Sequence, residues 1–131
     1  MNTEIRRLII GIVSLVACGT GLQACPPTME GGIAIVVHYT PGKHWNEFSK
    51  YAGSHLKYLH EQMNAGNIQF AGPYLEGEDA EGGLTIYSTD DEGKVQKLIH
   101  QDALVRENIV EAKLHRWLQC SLKKGNSPSP R

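Results

Sequence analysis

Hydrophobic residues along the chain change their spacing several times, and each spacing predicts a different element. Residues 33–39 are almost all apolar and β-branched, which predicts a central strand. From residue 43 to residue 63 apolar side chains recur every three or four positions, which predicts an amphipathic helix that ends at Gly66. Gly53 weakens the middle of this helix, so a break there with Ser54 as a second cap is an alternative. The apolar stripe consists of Trp45, Phe48, Ala52, Leu56, Leu59 and Met63.

The second half of the chain returns to short alternating segments. Residues 67–71 alternate polar and apolar side chains, as in a half-buried strand, and residues 84–88 predict another strand after a flexible acidic loop. A second helix would begin at Thr89 or Asp90 and bury Val95, Leu98 and Ile99.

A turn over residues 103–108 and a last strand over residues 109–119 complete the pattern. The order β-α-β-β-α-β predicts an α+β protein with the ferredoxin-like split β-α-β arrangement. Its antiparallel sheet would carry both helices on one face. The other face must then be polar or buried by a partner.

The N-terminus has the pattern of an export signal. Arg6 and Arg7 precede the apolar run 8–16, and small residues follow. This run is too short to span a bilayer. We therefore expect a lipoprotein-type signal peptide over residues 1–17, a flexible tether over 18–31, a folded domain over 32–120 and a disordered tail over 121–131.

The end of the apolar run, Leu15-Val16-Ala17-Cys18, resembles the lipobox of bacterial lipoproteins. This resemblance implies lipid attachment at Cys18, with Cys25 as the alternative site and plain secretion after cleavage near Ala24 as another. Gly19 rather than Asp after Cys18 favours an outer membrane by the same resemblance. The expected location is the bacterial cell envelope, lipid-anchored, or else periplasmic or secreted.

Composition narrows the classes of partner. The chain has 131 residues and a net charge of -1, with 13 Lys and Arg against 14 Asp and Glu. The length is enough for one domain, and the charges form no basic stripe, so we expect no nucleic-acid partner, and contact with a membrane only through the lipid anchor. His55 and His60 lie five residues apart on the first helix, whereas a helical zinc pair uses a spacing of four. We predict no metal site and no cofactor.

Four short motifs follow one another at spacings seen in a known family. They are His55-Leu56 on the first helix, Gly66 at its end, Ala71-Gly72-Pro73 after the next strand, and Gln101-Asp102-Ala103 after the second helix. Together they resemble the YCII-related (YciI-like) family of small ferredoxin-like proteins that dimerise as α+β barrels. The resemblance covers about residues 33–117 and implies a homodimer. It also implies that His55 and Asp102 form the active-site pair.

A histidine beside a carboxylate can act as a general base, because the carboxylate fixes the imidazole tautomer and leaves the other nitrogen to accept a proton. We therefore expect an envelope-anchored YCII-like domain with lyase- or hydrolase-type activity on a small molecule. His55 would be the base, oriented by Asp102, and Gly72 and Pro73 would shape the pocket. The alternative is a non-catalytic module of the same fold that binds a small ligand or serves as a structural dimer.

The cysteines allow one further expectation. In a ferredoxin-like sheet the first and last strands are antiparallel neighbours, so Cys25 before the first strand and Cys120 at the end of the last would lie close together. If Cys18 carries the lipid, an oxidising compartment favours a disulfide between Cys25 and Cys120. If Cys25 carries it instead, Cys120 is a lone thiol.

Overall fold

The structure is a computed structural model that describes residues 24–78 and 80–123. These residues form two compact units, 33–117 and 24–32 with 118–123. The elements are the strand β1 (Met29–Pro41), a 3-10 turn (Trp45–Glu47), the helix α1 (Phe48–Asn64), the strands β2 (Ile68–Pro73) and β3 (Gly83–Tyr87), the helices α2 (Glu92–Ile99) and α3 (Ala103–Arg106), and the strand β4 (Val110–Leu122).

The four strands form one antiparallel sheet in the order β2-β3-β1-β4. This order, with helices after β1 and β3, confirms the predicted α+β ferredoxin-like arrangement. One row of the sheet joins Ile68, Tyr87 and Ile35, all of which are buried. These residues belong to a single hydrophobic cluster with Tyr58 of α1, Val95 of α2 and Leu104 of α3, so the helices cover the same face of the sheet.

Helix α1 starts later than the periodicity predicts, at Phe48 rather than residue 43, because Trp45–Glu47 form a 3-10 turn. It continues through Gly53 to Asn64 without a break. Gly66 follows it with a φ of 77°, a left-handed conformation suited to glycine. The second helix also begins differently, since Asp91 and not Thr89 or Asp90 caps it: a side-chain oxygen of Asp91 accepts the Lys94 amide at 3.0 Å.

The face that α1 buries is shifted from the predicted apolar stripe. Tyr58 is buried and His55 is partly buried, whereas Leu56 is 65% exposed and Met63 40% exposed. The reason is hydrogen bonding: Tyr58 and His55 find partners beneath the helix that Leu56 and Met63 cannot use.

Strand β2 also departs from simple alternation. Ile68 lies opposite Tyr87 but Phe70 lies opposite Ile86, so a bulge separates the two apolar residues. The bulge turns Phe70 to the face away from the helices, where it is 64% exposed.

In the unit formed by 24–32 and 118–123, Cys25 and Cys120 are joined by a disulfide with a sequence separation of 95. A side chain at Gly31 would collide with the Cys25 sulfur, so glycine is required there. Strand β1 begins at Met29, inside the range predicted as a tether. The predicted signal peptide, Cys18, the tether up to residue 23 and the tail from residue 124 lie outside the described residues. Within the described part of the chain no helix is long and apolar enough to cross a membrane.

Candidate functional site

His55 and Asp102 form the only contact between a histidine and a carboxylate among the described residues. The His55 Nδ1 lies 2.7 Å from the Asp102 Oδ2. The imidazole is 20% exposed and the carboxylate is fully buried. With Nδ1–H donating to the carboxylate, Nε2 carries a lone pair, and it makes no hydrogen bond within residues 24–78 and 80–123.

The backbone holds the Asp102 carboxylate in place. Asp102 is the N-cap of α3, and its Oδ1 accepts the amide of Leu104 at 3.0 Å. Its own amide donates to the Ile99 carbonyl at the end of α2, at 3.1 Å. The junction of two helices therefore presents one carboxylate oxygen to its own helix and the other to His55.

A cavity of about 460 Å³ lies beside the imidazole. Its walls come from all four strands, from α1 and α3 and from the loop before β3, and most of them are apolar. Beside His55 the lining includes Tyr39, Trp45, Phe48, Leu59, Gly72 and Pro73. His55, predicted as the base, and Gly72 and Pro73, predicted to shape the pocket, thus line one cavity. Asp102 does not line this cavity but holds the imidazole of His55. The exposed apolar positions Phe48 and Leu56 of α1 also face this cavity.

Three buried tyrosines that the sequence pattern did not link to the site, Tyr39, Tyr58 and Tyr87, lie close to Asp102 or to one another. The Tyr58 hydroxyl donates to the Leu98 carbonyl at 2.8 Å and accepts from the Tyr87 hydroxyl at 2.8 Å. Burial raises the pKa of Tyr58 to about 12 and also raises the pKa of Tyr87. Burial, and then the charge of Asp102, raises the pKa of Tyr39. Tyr58 follows His55 by three residues, so both side chains lie on the same side of α1. This spacing is the sequence signal that could have linked Tyr58 to the site.

The remaining histidines in the described residues do not contact a carboxylate. His38 Nδ1 lies 2.8 Å from the Tyr74 hydroxyl, His44 Nδ1 lies 3.1 Å from the Glu107 carbonyl, and His100 Nδ1 lies 2.6 Å from the Gln96 carbonyl. No group of three metal-ligating side chains comes together in the described parts of the chain.

Comparison with known proteins gives a family and a fold. The sequence profile of the YCII-related domain matches residues 32–117. Among solved structures, the chain resembles 5-chloro-2-hydroxyhydroquinone dehydrochlorinase from Burkholderia phenoliruptrix AC1100, in complex with 2,5-dihydroxybenzoquinone. The TM-score is 0.50 at 20% identity, over 63% of this chain and 92% of that one. No curated protein matches. Because the matched range spans most of the chain, this protein belongs to the YCII-related domain family.

Proposed function

We propose that this protein is a small-molecule lyase in which His55 removes a proton from the substrate. The observation that carries the proposal is the 2.7 Å contact between His55 and a fully buried carboxylate at the wall of a cavity. A buried carboxylate fixes the tautomer of the imidazole and stabilises the imidazolium that forms when Nε2 takes a proton.

An elimination uses this arrangement directly. Nε2 accepts a proton from a saturated carbon of the substrate, which a hydroquinone ring presents in its keto tautomer, and the electron pair of that C–H bond forms a new π bond. A leaving group on the adjacent carbon departs with the electrons of its own bond. The proton stays on His55 until water removes it, so atoms and charges balance without a cofactor.

The cavity limits the size and polarity of the substrate. A volume of about 460 Å³ accommodates a small ring compound. Trp45 and Phe48 line the cavity, with ring centroids 4.8 Å apart, and offer an aromatic wall. The neighbouring structure, named a dehydrochlorinase and solved with a quinone, makes halogenated hydroquinones suitable first substrates to test.

The activity is tested by measuring chloride release from a panel of chlorinated hydroquinones. We expect turnover by the wild type and a loss of about 100-fold or more in His55→Ala, because a positioned base contributes that much. His100→Ala is the matched control, since His100 is exposed and bonds only its own helix. Equal turnover by His55→Ala and the wild type would rule out the base. Saturable binding of the panel without turnover would instead favour the non-catalytic binding module.

We also propose that the domain is anchored in the bacterial envelope through Cys18. Acylation and disulfide formation use the same sulfur atom, so Cys25 cannot carry a lipid while it is bonded to Cys120. This supports Cys18 over Cys25 as the lipid site, and the oxidised pair supports an exported protein.

Intact-mass measurement of protein purified from the membrane fraction tests the anchor. We expect a mature chain that begins at an acylated Cys18 and keeps the disulfide. Cys18→Ser should lose the lipid and the membrane association, whereas Cys25→Ser should keep both. Acyl chains on Cys25, with a free thiol at Cys120, would contradict the proposal.

A further inference from the structure

The charges around the cavity beside His55 are all of one sign. Within residues 24–78 and 80–123, no lysine or arginine lines this cavity. The one carboxylate residue among the lining residues is Glu81, in the loop before β3. Glu81 is exposed, so it lies where the cavity meets solvent. His55 must be neutral to act as a base, and therefore adds no positive charge before the reaction.

A second negative charge lies behind the imidazole. Asp102 is fully buried, and among the described residues its only ionic contact is with His55. While His55 is neutral, this carboxylate has no cation beside it. Its field reaches the cavity wall, since burial and then the charge of Asp102 raise the pKa of Tyr39, which lines the cavity. Negative charge is thus present on the side of His55 and in the loop before β3.

This arrangement treats the two signs of ligand charge differently. Any ion that enters a mostly apolar cavity loses hydration, which disfavours anions and cations alike. An anion is in addition repelled by Glu81 and Asp102, whereas a cation is attracted to both. An un-ionised ring compound avoids both the loss of ionic hydration and the repulsion.

We propose that the cavity takes un-ionised ring compounds and rejects rings that carry a carboxylate or another negative charge, and that Glu81 contributes to this rejection as a specificity residue. This inference rests on the proposed function and names the substrate class of the same site.

The preference also suits the proposed elimination. Removing a proton from carbon leaves negative charge on the substrate, and a ring that is already negative resists a further negative charge. When Nε2 takes the proton, the imidazolium of His55 balances the charge of Asp102. The cavity therefore becomes less negative at the step in which the substrate becomes more so.

Three ring compounds of almost the same shape test the proposal without knowledge of the substrate. At neutral pH benzamide is uncharged, benzoate is an anion and benzamidinium is a cation. We expect benzamide to bind most tightly, and the Kd of benzoate to exceed that of benzamidinium by about tenfold or more. This ratio should fall by about fivefold in Glu81→Gln and by about 25-fold in Glu81→Lys, at low salt. Glu78→Gln is the matched control, since Glu78 is an exposed residue of the same loop that does not line the cavity.

Ionic strength provides an independent measurement. The effect of Glu81→Gln should shrink in about 1 M sodium chloride, where the Debye length is about 3 Å, because Glu81 is exposed. Equal Kd values for benzoate and benzamidinium in the wild type, a ratio unchanged in Glu81→Lys, or an equal effect of Glu78→Gln and Glu81→Gln would overturn the inference. Unchanged turnover in His55→Ala would remove the base role but leave the altered ratio standing. Chloride release together with an unaltered ratio would remove only the charge preference.

Discussion

At the scale of single residues, Asp102 serves two partners with its two carboxylate oxygens. One oxygen caps α3 through the Leu104 amide, and the other holds the His55 imidazole. The cap is structural and the second contact determines which nitrogen of His55 is protonated. The two tasks can be separated, because asparagine caps a helix about as well as aspartate.

Asp102→Asn should therefore change the tautomer of His55 while the fold persists. If the amide nitrogen takes the position of Oδ2, it donates to Nδ1, and the imidazole proton moves to Nε2. We expect nitrogen NMR shifts of His55 to report this exchange, turnover to fall by about 100-fold, and the free energy of unfolding to change by less than about 1 kcal/mol. Asp91→Asn, which alters only the cap of α2, is the control. An unchanged His55 tautomer would contradict the assignment.

The buried tyrosines predict a loss of stability in alkali. An unfolded chain loses tyrosine protons near pH 10, whereas burial raises the pKa of Tyr58 to about 12. Above pH 10 the unfolded state thus binds fewer protons than the folded state, so stability falls as the pH rises. Tyr58 alone should remove about 2 kcal/mol by pH 12. Urea unfolding at pH 8, 10 and 11 measures this, and Tyr58→Phe should make the dependence shallower. A free energy of unfolding that stays constant from pH 8 to pH 11 would show that the buried tyrosines titrate as they do in an unfolded chain.

At the scale of elements, hydrophobic spacing predicted which segments form strands and helices but not always which face they bury. Spacing registers apolarity alone, whereas α1 buries Tyr58 and partly buries His55, whose polar atoms have partners below. The apolar residues Phe48 and Leu56 line the cavity instead. The bulge in β2 turns Phe70 to the opposite face of the sheet. A side-chain pattern cannot predict this, because a bulge is a feature of the backbone pairing.

The candidate site was predictable only in part. The pairing of His55 with Asp102 was expected from family resemblance, because the two residues are 47 positions apart and no local pattern links them. Gly72 and Pro73 were expected at the pocket from the same family resemblance. The hydrogen bonds of Tyr58 were not predictable, since its partners Tyr87 and Leu98 lie 29 and 40 positions away in the sequence.

The glycine inside α1 and the glycine just after it should respond oppositely to alanine. Gly53 lies exposed within α1 with open space around it, so Gly53→Ala should stabilise the protein by about 0.5–1 kcal/mol. Gly66 has a φ of 77°, so Gly66→Ala should destabilise it by about 1 kcal/mol. Chemical unfolding of both variants measures the two free energies. The same sign for both would contradict the assigned end of the helix.

At the scale of the whole molecule, the helices cover only one face of the sheet, and the other face needs an explanation. The ladder places Phe70, Ile86 and Val36 in one row on this face. Phe70 is 64% exposed there, and Trp117 on β4 is 42% exposed. A small domain buries a modest fraction of its surface by itself, so covering such a row adds useful stability.

We propose that a second copy of the chain covers this face, giving the homodimer expected from the family resemblance. Wild-type protein should then scatter light as a dimer at micromolar concentration. Phe70→Glu should give a folded monomer, because a carboxylate would be buried without a partner in the interface. Gln69→Glu adds the same charge to an exposed neighbouring position outside the row, so it should remain dimeric. Circular dichroism confirms that each variant is folded. A wild-type monomer at the highest attainable concentration would refute the dimer, and dimers of all three proteins would assign the interface to another surface.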